Sequence, residues 1–261
     1  MSGRSTRLLT ASALVLLAGM AAAGEIPQAE RRSGYDFMSP ETRAMQDDDT
    51  ANPGMLGVLE GDVLWARKTG AAGRACADCH GDGRASMKGV AARYPAFDAA
   101  SKRPGNLEQR INRCRTERQQ APALAYESRE LLALTAFVAR QSRGVPIDIA
   151  VDARTQPFLD NGRAAFYRRQ GQLNLACSQC HDDNWGKRLA GNAIPQAHPT
   201  GYPVYRLEWQ SLGSLQRRLR NCLVGIRAEP YEFGAPELVE LELFLMWRAR
   251  GMAIESPGVR P

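Results

Sequence analysis

The sequence predicts an all-α chain of two tandem units related by internal duplication, preceded by an N-terminal extension. Three observations predict it. Apolar residues recur at helical spacing in each strongly patterned segment, and alternating apolar–polar runs are nearly absent. The chain also aligns on itself without gaps at an offset of 101 residues. A length of 261 residues suits two cores, since single domains usually close at about 100–150 residues. Hydrophobic residues at 44% and charged residues at 24% exclude wholesale disorder, a collagen-like repeat and a polytopic membrane protein.

Residues 1–23 read as a signal peptide. Arg4 and Arg7 precede an apolar run over residues 8–20, and Ala21-Ala22-Ala23 supply a small-residue cleavage pattern. The run falls short of the about 20 apolar residues that cross a bilayer. The longest later candidate, residues 238–246, is interrupted by Glu240 and Glu242. The expectation is export to the periplasm with no membrane span after cleavage; an uncleaved N-terminal anchor is the alternative. Cleavage removes two of the 34 basic residues and none of the 28 acidic ones, leaving a mature net charge of +4. Basic clusters at residues 110–118 and 217–220 lack interleaved stacking aromatics. That argues against nucleic acid and favours a small anion or an acidic protein partner.

Residues 24–53 read as an extension packed on the surface, 54–145 as the first unit and 146–261 as the second, with 142–156 as the linker. Each unit begins with a short amphipathic helix, at 61–68 and 162–169, leading into a cysteine-bearing turn. A second helix, at 106–118 and 211–223, ends near a further cysteine. The third, at 127–140 and 236–248, is the most periodic and is stopped by Gly144 or Gly251. At the 101-residue offset Gly61 falls on Gly162, Trp65 on Phe166, Gly70 on Gly171 and His80 on His181. Cys114 matches Cys222 at an offset of 108, the extra residues lying in the longer second loop, 184–205.

The chemistry is in the cysteines. Cys76-Ala-Asp-Cys79-His80 and Cys177-Ser-Gln-Cys180-His181 are both CxxCH. Two thiols on one helical turn can form thioethers to the vinyl groups of a haem, and the adjacent His can hold the iron. Two such motifs at matched places in a repeat predict two covalently attached haem c groups. A redox dithiol would need a βαβ setting, and a zinc site would need a second ligand pair.

The sixth iron ligand is less obvious. Met87 lies only seven residues beyond His80, and Met246 falls on a core helix, where packing is the simpler role. Cys114 and Cys222 stand 34 and 41 residues after their histidines, and thiolate is a competent ligand that lowers the iron's potential. A Cys114–Cys222 disulfide or two buried thiols are the alternatives. Arg218 lies one helical turn before Cys222, where a guanidinium could stabilise a thiolate and bind a sulfonate, or simply be solvated. Arg227 follows Cys222 by five residues. His198, in the Pro-rich loop, reads as an ordinary loop histidine.

Through CADCH, the cysteine of INRCR, CSQCH and the cysteine of RRLRNC, the chain resembles the SoxA family. These are dihaem c-type subunits of the SoxAX complex of bacterial thiosulfate oxidation. The resemblance covers essentially the whole mature chain and includes the first CxxCH, which single-haem forms lack. It implies two cytochrome c-like domains. Haem 1 would be bound by Cys76 and Cys79 and ligated by His80 and Cys114. Haem 2 would be bound by Cys177 and Cys180 and ligated by His181 and Cys222.

The resemblance further implies that Cys222 carries a persulfide and is catalytic, with Arg218 as substrate-binding residue. The implied activity is that of an L-cysteine S-thiosulfotransferase, which oxidatively conjugates thiosulfate to a cysteine of a SoxYZ-like carrier. A SoxX-like monohaem subunit and a soluble cytochrome c would take the electrons, and haem 1 would be structural or vestigial. The competing expectation is a non-catalytic dihaem electron carrier.

Overall fold

Burial on nearly all faces marks the helices that organise the chain. The computed structural model describes residues 25–261, so the expected signal peptide lies outside the described residues. After a strap of two 3₁₀ turns, α1 (Pro40–Asp47) leads to α2 (Gly54–Ala66), α3 (Ala77–His80) and α4 (Gly83–Ser86). A hairpin of β1 (Ala96–Asp98) and β2 (Arg103–Gly105) precedes α5 (Leu107–Cys114), which runs into a π-turn, and α6 (Arg129–Arg140). The second half runs through α7 (Gln156–Tyr167), α8 (Cys177–His181), the β3–β4 hairpin (Arg188–Leu189, Asn192–Ala193), β5 (Val204–Arg206) and β6 (Ser211–Gly213). Then come α9 (Leu215–Gly225), α10 (Pro236–Arg248) and β7 (Gly258–Arg260).

Two helix pairs form the cores: α2 packs along α6, and α7 along α10. Ser128 caps α6 by accepting from Leu131 N–H, and every residue from Leu131 to Ala139 is buried. In α10 every residue from Leu238 to Met246 is buried. Such helices cannot stand alone in water and need partners that come close. Glycine provides the close approach. A Cβ on Gly61 would lie 2.2 Å from the Ala133 carbonyl oxygen, and one on Gly162 would lie 2.0 Å from that of Glu240.

The same local geometry recurs elsewhere in the two halves. Gly70 (φ +68°) and Gly171 (φ +70°) turn against the backbones of Gln119 and Ile226. Asn106 caps α5 and Ser214 caps α9.

Three expectations change. The chain is mainly helical but not all-α: among the described residues seven strands form two hairpins and a β6–β5–β7 sheet in which β7 runs parallel to β5. At two or three residues each, they are too short to carry an alternating pattern. Residues 211–213 are β6 rather than the start of a helix, because Ser214 caps α9 there. α2 and α7 begin at Gly54 and Gln156, ahead of the expected 61 and 162, since Gly and Pro in their first turns mask the periodicity.

The connection at 142–156 is a packed segment. Ile147 and Ile149 are buried, and Gly144, Ile147 and Ile254 hydrogen-bond between this segment and the C-terminal stretch. The N-terminal extension lies across both halves: Asp49 pairs with Arg140 (2.7 Å) and Arg143 (2.9 Å) of the first, and further contacts reach the second. Asn52 donates to the Pro257 carbonyl (2.9 Å), Gln46 accepts from Val259 N–H (2.9 Å), and Arg31 donates to the Arg250 carbonyl (2.7 Å).

Candidate active site

Short helices at the foot of each pair present the CxxCH residues. Cys177 opens α8 and His181 closes it, and the carbonyl of Pro195 receives the His181 ring at Nδ1 (2.6 Å). With Nδ1 carrying the proton, Nε2 keeps its lone pair for another partner. Cys222, on α9, half-buried and a free thiol, lies within hydrogen-bonding reach of the same imidazole.

Burial alone would push the Cys222 thiol up. Hydrogen bonding with His181 and the charges of Arg218, His181 and Arg206 outweigh it and hold the thiol below its ordinary value. The motif cysteines behave oppositely: burial and the nearby Cys222 push Cys177 up to about 12, and Cys180 is raised by the same two causes. Cys222 is thus shifted toward the thiolate form and the two motif cysteines away from it.

The helical turn between Arg218 and Cys222 holds in α9, and the guanidinium lies half-buried in the electrostatic field of Cys222, Tyr202 and Glu208. Its neighbours point elsewhere. Arg217 stacks on Trp209 at 4.1 Å, and Arg220 stacks on Phe233 at 4.5 Å and donates to the Tyr231 carbonyl. Arg227 is exposed, and its carbonyl accepts from Gln172 N–H in the turn below α9.

Sequence reasoning missed two groups. Arg206, on β5, is 8% exposed, donates to the Pro261 carbonyl (3.0 Å), pairs with Glu208 (3.0 Å) and places a second positive charge near Cys222. Tyr202 lies near Arg218, Arg206 and the thiol, with its phenol raised by burial. Neither has a motif. Both reach the site only because β5 is drawn between β6 and β7.

In the first half Cys76 precedes α3, and its thiol is raised chiefly by burial, with Gln119 donating to its sulfur at 3.7 Å. Cys114 ends α5 close enough to act on Cys76 electrostatically. His80 and Cys79 are exposed. The Trp65 ring lies 5.7 Å from that of His80, and its Nε1 donates to the Gly81 carbonyl (3.0 Å). All six cysteines are free, so no Cys114–Cys222 disulfide forms. Met246 is buried among the core residues of α10, as packing predicts. His198 is not a solvated loop residue: it is buried under the N-terminal strap, with Nδ1 at 2.9 Å from the Arg32 carbonyl oxygen.

The family model for the SoxA/TsdA cytochrome c domain matches residues 60–147 and again 161–254. The L-cysteine S-thiosulfotransferase subunit SoxA of Pseudaminobacter salicylatoxidans is 39% identical over 235 residues, 90% of this chain and 82% of the relative. The chain belongs to the SoxA family. The SoxA subunit of Rhodovulum sulfidophilum is 38% identical over 88% of this chain and 80% of its own length. A crystal structure of SoxXA from P. pantotrophus superimposes with a TM-score of 0.85 at 31% identity, covering 88% of this chain and 87% of that one.

Membership in this family implies haem c, and the donor sets fit it. Each half offers a free thiol pair at one end of a short helix, an adjacent imidazole and a further free thiol. In the second half the tautomer fixed by Pro195 leaves the iron-binding nitrogen available. No helix among the described residues is long and apolar enough to cross a membrane.

Proposed function

We propose that this SoxA chain works in the periplasm, after removal of residues 1–23, as the dihaem subunit of an L-cysteine S-thiosulfotransferase. Residues 54–145 and 146–261 form two cytochrome c-like domains that arose by duplication, a reading supported by the twice-matched family model and by the paired glycine contacts. Cys76 and Cys79 attach haem 1, with His80 and Cys114 as its ligands. Cys177 and Cys180 attach haem 2, with His181 and Cys222 as its ligands. When bound, the haems accept electrons and pass them outward, to a SoxX-like monohaem subunit and then to a soluble cytochrome c.

The observation that carries the proposal is the Cys222 thiol, held toward thiolate by His181, Arg218 and Arg206. Thiosulfate carries two negative charges, and paired guanidiniums match a sulfonate in charge and in donor geometry. Cys222 thiolate bonds to the sulfane sulfur, giving a Cys222–S–S–SO₃⁻ adduct with loss of two electrons. The thiolate of the SoxYZ-like carrier then attacks that sulfane sulfur and releases Cys222 as thiolate, while Arg218 keeps the sulfonate charge neutralised. The same position would carry the persulfide of the resting protein.

Replacing Cys222 with Ala tests the reading. Conjugation of thiosulfate to the carrier is expected to stop while the haem 1 spectrum persists. A Cys222→Ala protein that still conjugates thiosulfate would return the chain to the class of simple electron carriers.

A further inference from the structure

We propose that Gln196 is a positioning residue through which the N-terminal strap fixes the His181 ring and so sets the electronic character of haem 2. This rests on His181 being that haem's ligand. Pro195, whose carbonyl receives His181 Nδ1, is followed directly by Gln196, which is fully buried.

Both ends of the Gln196 amide are engaged by the strap backbone. Oε1 accepts from Arg32 N–H at 2.7 Å, and Nε2 donates to the Glu30 carbonyl at 3.2 Å. Two residues on, the His198 ring meets the Arg32 carbonyl. From the opposite side the buried Arg248 donates to the Gln196 carbonyl (3.4 Å) and to Asp182 (2.7 Å), the residue after His181. Residues 195–198 are thus held by hydrogen bonds to both the strap and Arg248, which would keep the Pro195 carbonyl at the imidazole.

Burying an amide costs desolvation that a leucine would avoid, so such a contact specifies position more than it adds stability. The carbonyl bond matters electronically, because a firmly held Nδ1–H makes the ring a better donor through Nε2. The first half offers a contrast within the same chain. His80 is exposed, its ring meets no comparable carbonyl among the described residues, and the strap does not lie on it. The clamp belongs to the half with the catalytic thiol and sits in the loop that is longer in that half.

The test is an EPR spectrum and a potentiometric titration of the full holoprotein, wild type against Gln196→Leu, with haem 1 as internal control. The expected result is a changed set of haem 2 g-values and an upward shift of the haem 2 midpoint, with haem 1 unaltered. Gln196→Met removes both amide contacts at nearly constant volume and adds no charge; it should shift haem 2 in the same direction, and it serves if the leucine variant does not fold. Unaltered haem 2 signals with only a lowered melting temperature would reduce Gln196 to a structural contact and overturn the proposal. A wild-type spectrum without a His/thiolate signal from the second haem would overturn the ligand assignment itself, a separate failure visible before any variant is made.

Discussion

Gly61 lies so close to Ala133 that a Cβ would sit 2.2 Å from the neighbouring carbonyl oxygen, and the clash would be with backbone, which cannot rotate away. Gly61→Ala should therefore force α2 off α6. A cost of about 1–3 kcal/mol is typical for such overpacking. Gly162→Ala should do the same to α7 and α10. Thermal unfolding of the two holoproteins checks this; wild-type stability in either would mean that the helix pair tolerates separation.

Arg218→Met should weaken thiosulfate binding without removing the haem. A charge-assisted hydrogen bond contributes about 1.5–3 kcal/mol, so KM for thiosulfate should rise on the order of tenfold to a hundredfold. Loss of one positive charge should also let the Cys222 thiol climb back toward its ordinary value, moving the ascending limb of the pH–rate profile to higher pH. An unchanged KM would leave the sulfonate to Arg206 alone.

Two buried carboxyls, Glu108 of the first half and Glu242 of the second, line one cavity of about 60 Å³, with Asn106 donating to Glu242 at 3.2 Å. Burial raises both. Glu127 adds to the shift at Glu108, and Glu108 adds to that at Glu242. The folded state thus keeps protons that the unfolded chain releases near the ordinary value of 4.5. This contribution to stability is present in acid and is lost as pH rises through neutrality. Denaturant unfolding between pH 5 and 8 should show these two carboxyls withdrawing stability, by up to about 1.4 kcal/mol per pH unit for each proton, with the loss levelling off above their folded values of about 7 and about 8. Glu242→Gln should flatten that slope, and an equal slope in the variant would refute the assignment.

His198 acts in the opposite sense. Burial lowers it to about 4 from 6.5, so below pH 6.5 the unfolded chain binds a proton that the folded chain refuses. Its contribution is present above 6.5 and is lost as pH falls toward 4. The slope is again about 1.4 kcal/mol per pH unit at most. His198→Gln should shrink the acid limb of the stability curve while leaving the alkaline limb set by the two glutamates.

Much of the site was legible because its chemistry is local. A CxxCH turn needs only five consecutive residues, and the place of Cys222 one helical turn beyond Arg218 follows from helix periodicity alone. Arg206, Tyr202 and Gln196 were not legible, since each reaches its place through a contact distant in sequence: a strand drawn beside the C-terminus, or a strap laid across from residue 30.

The sequence by itself determined the match of the chain to itself at the two CxxCH segments, the helices with their glycine stops, the two thiol–imidazole sets and the extra cysteine in each half. All of these depend on spacing within one element or on comparing the chain with itself. Only the tertiary structure decided the environment of those groups. It set which histidine is braced by a carbonyl, which thiol stands among positive charges, and which carboxyls are trapped at the seam. Burial and charge proximity arise from elements far apart in the chain, and the hydrophobic pattern that brings them together does not encode which polar side chains will meet.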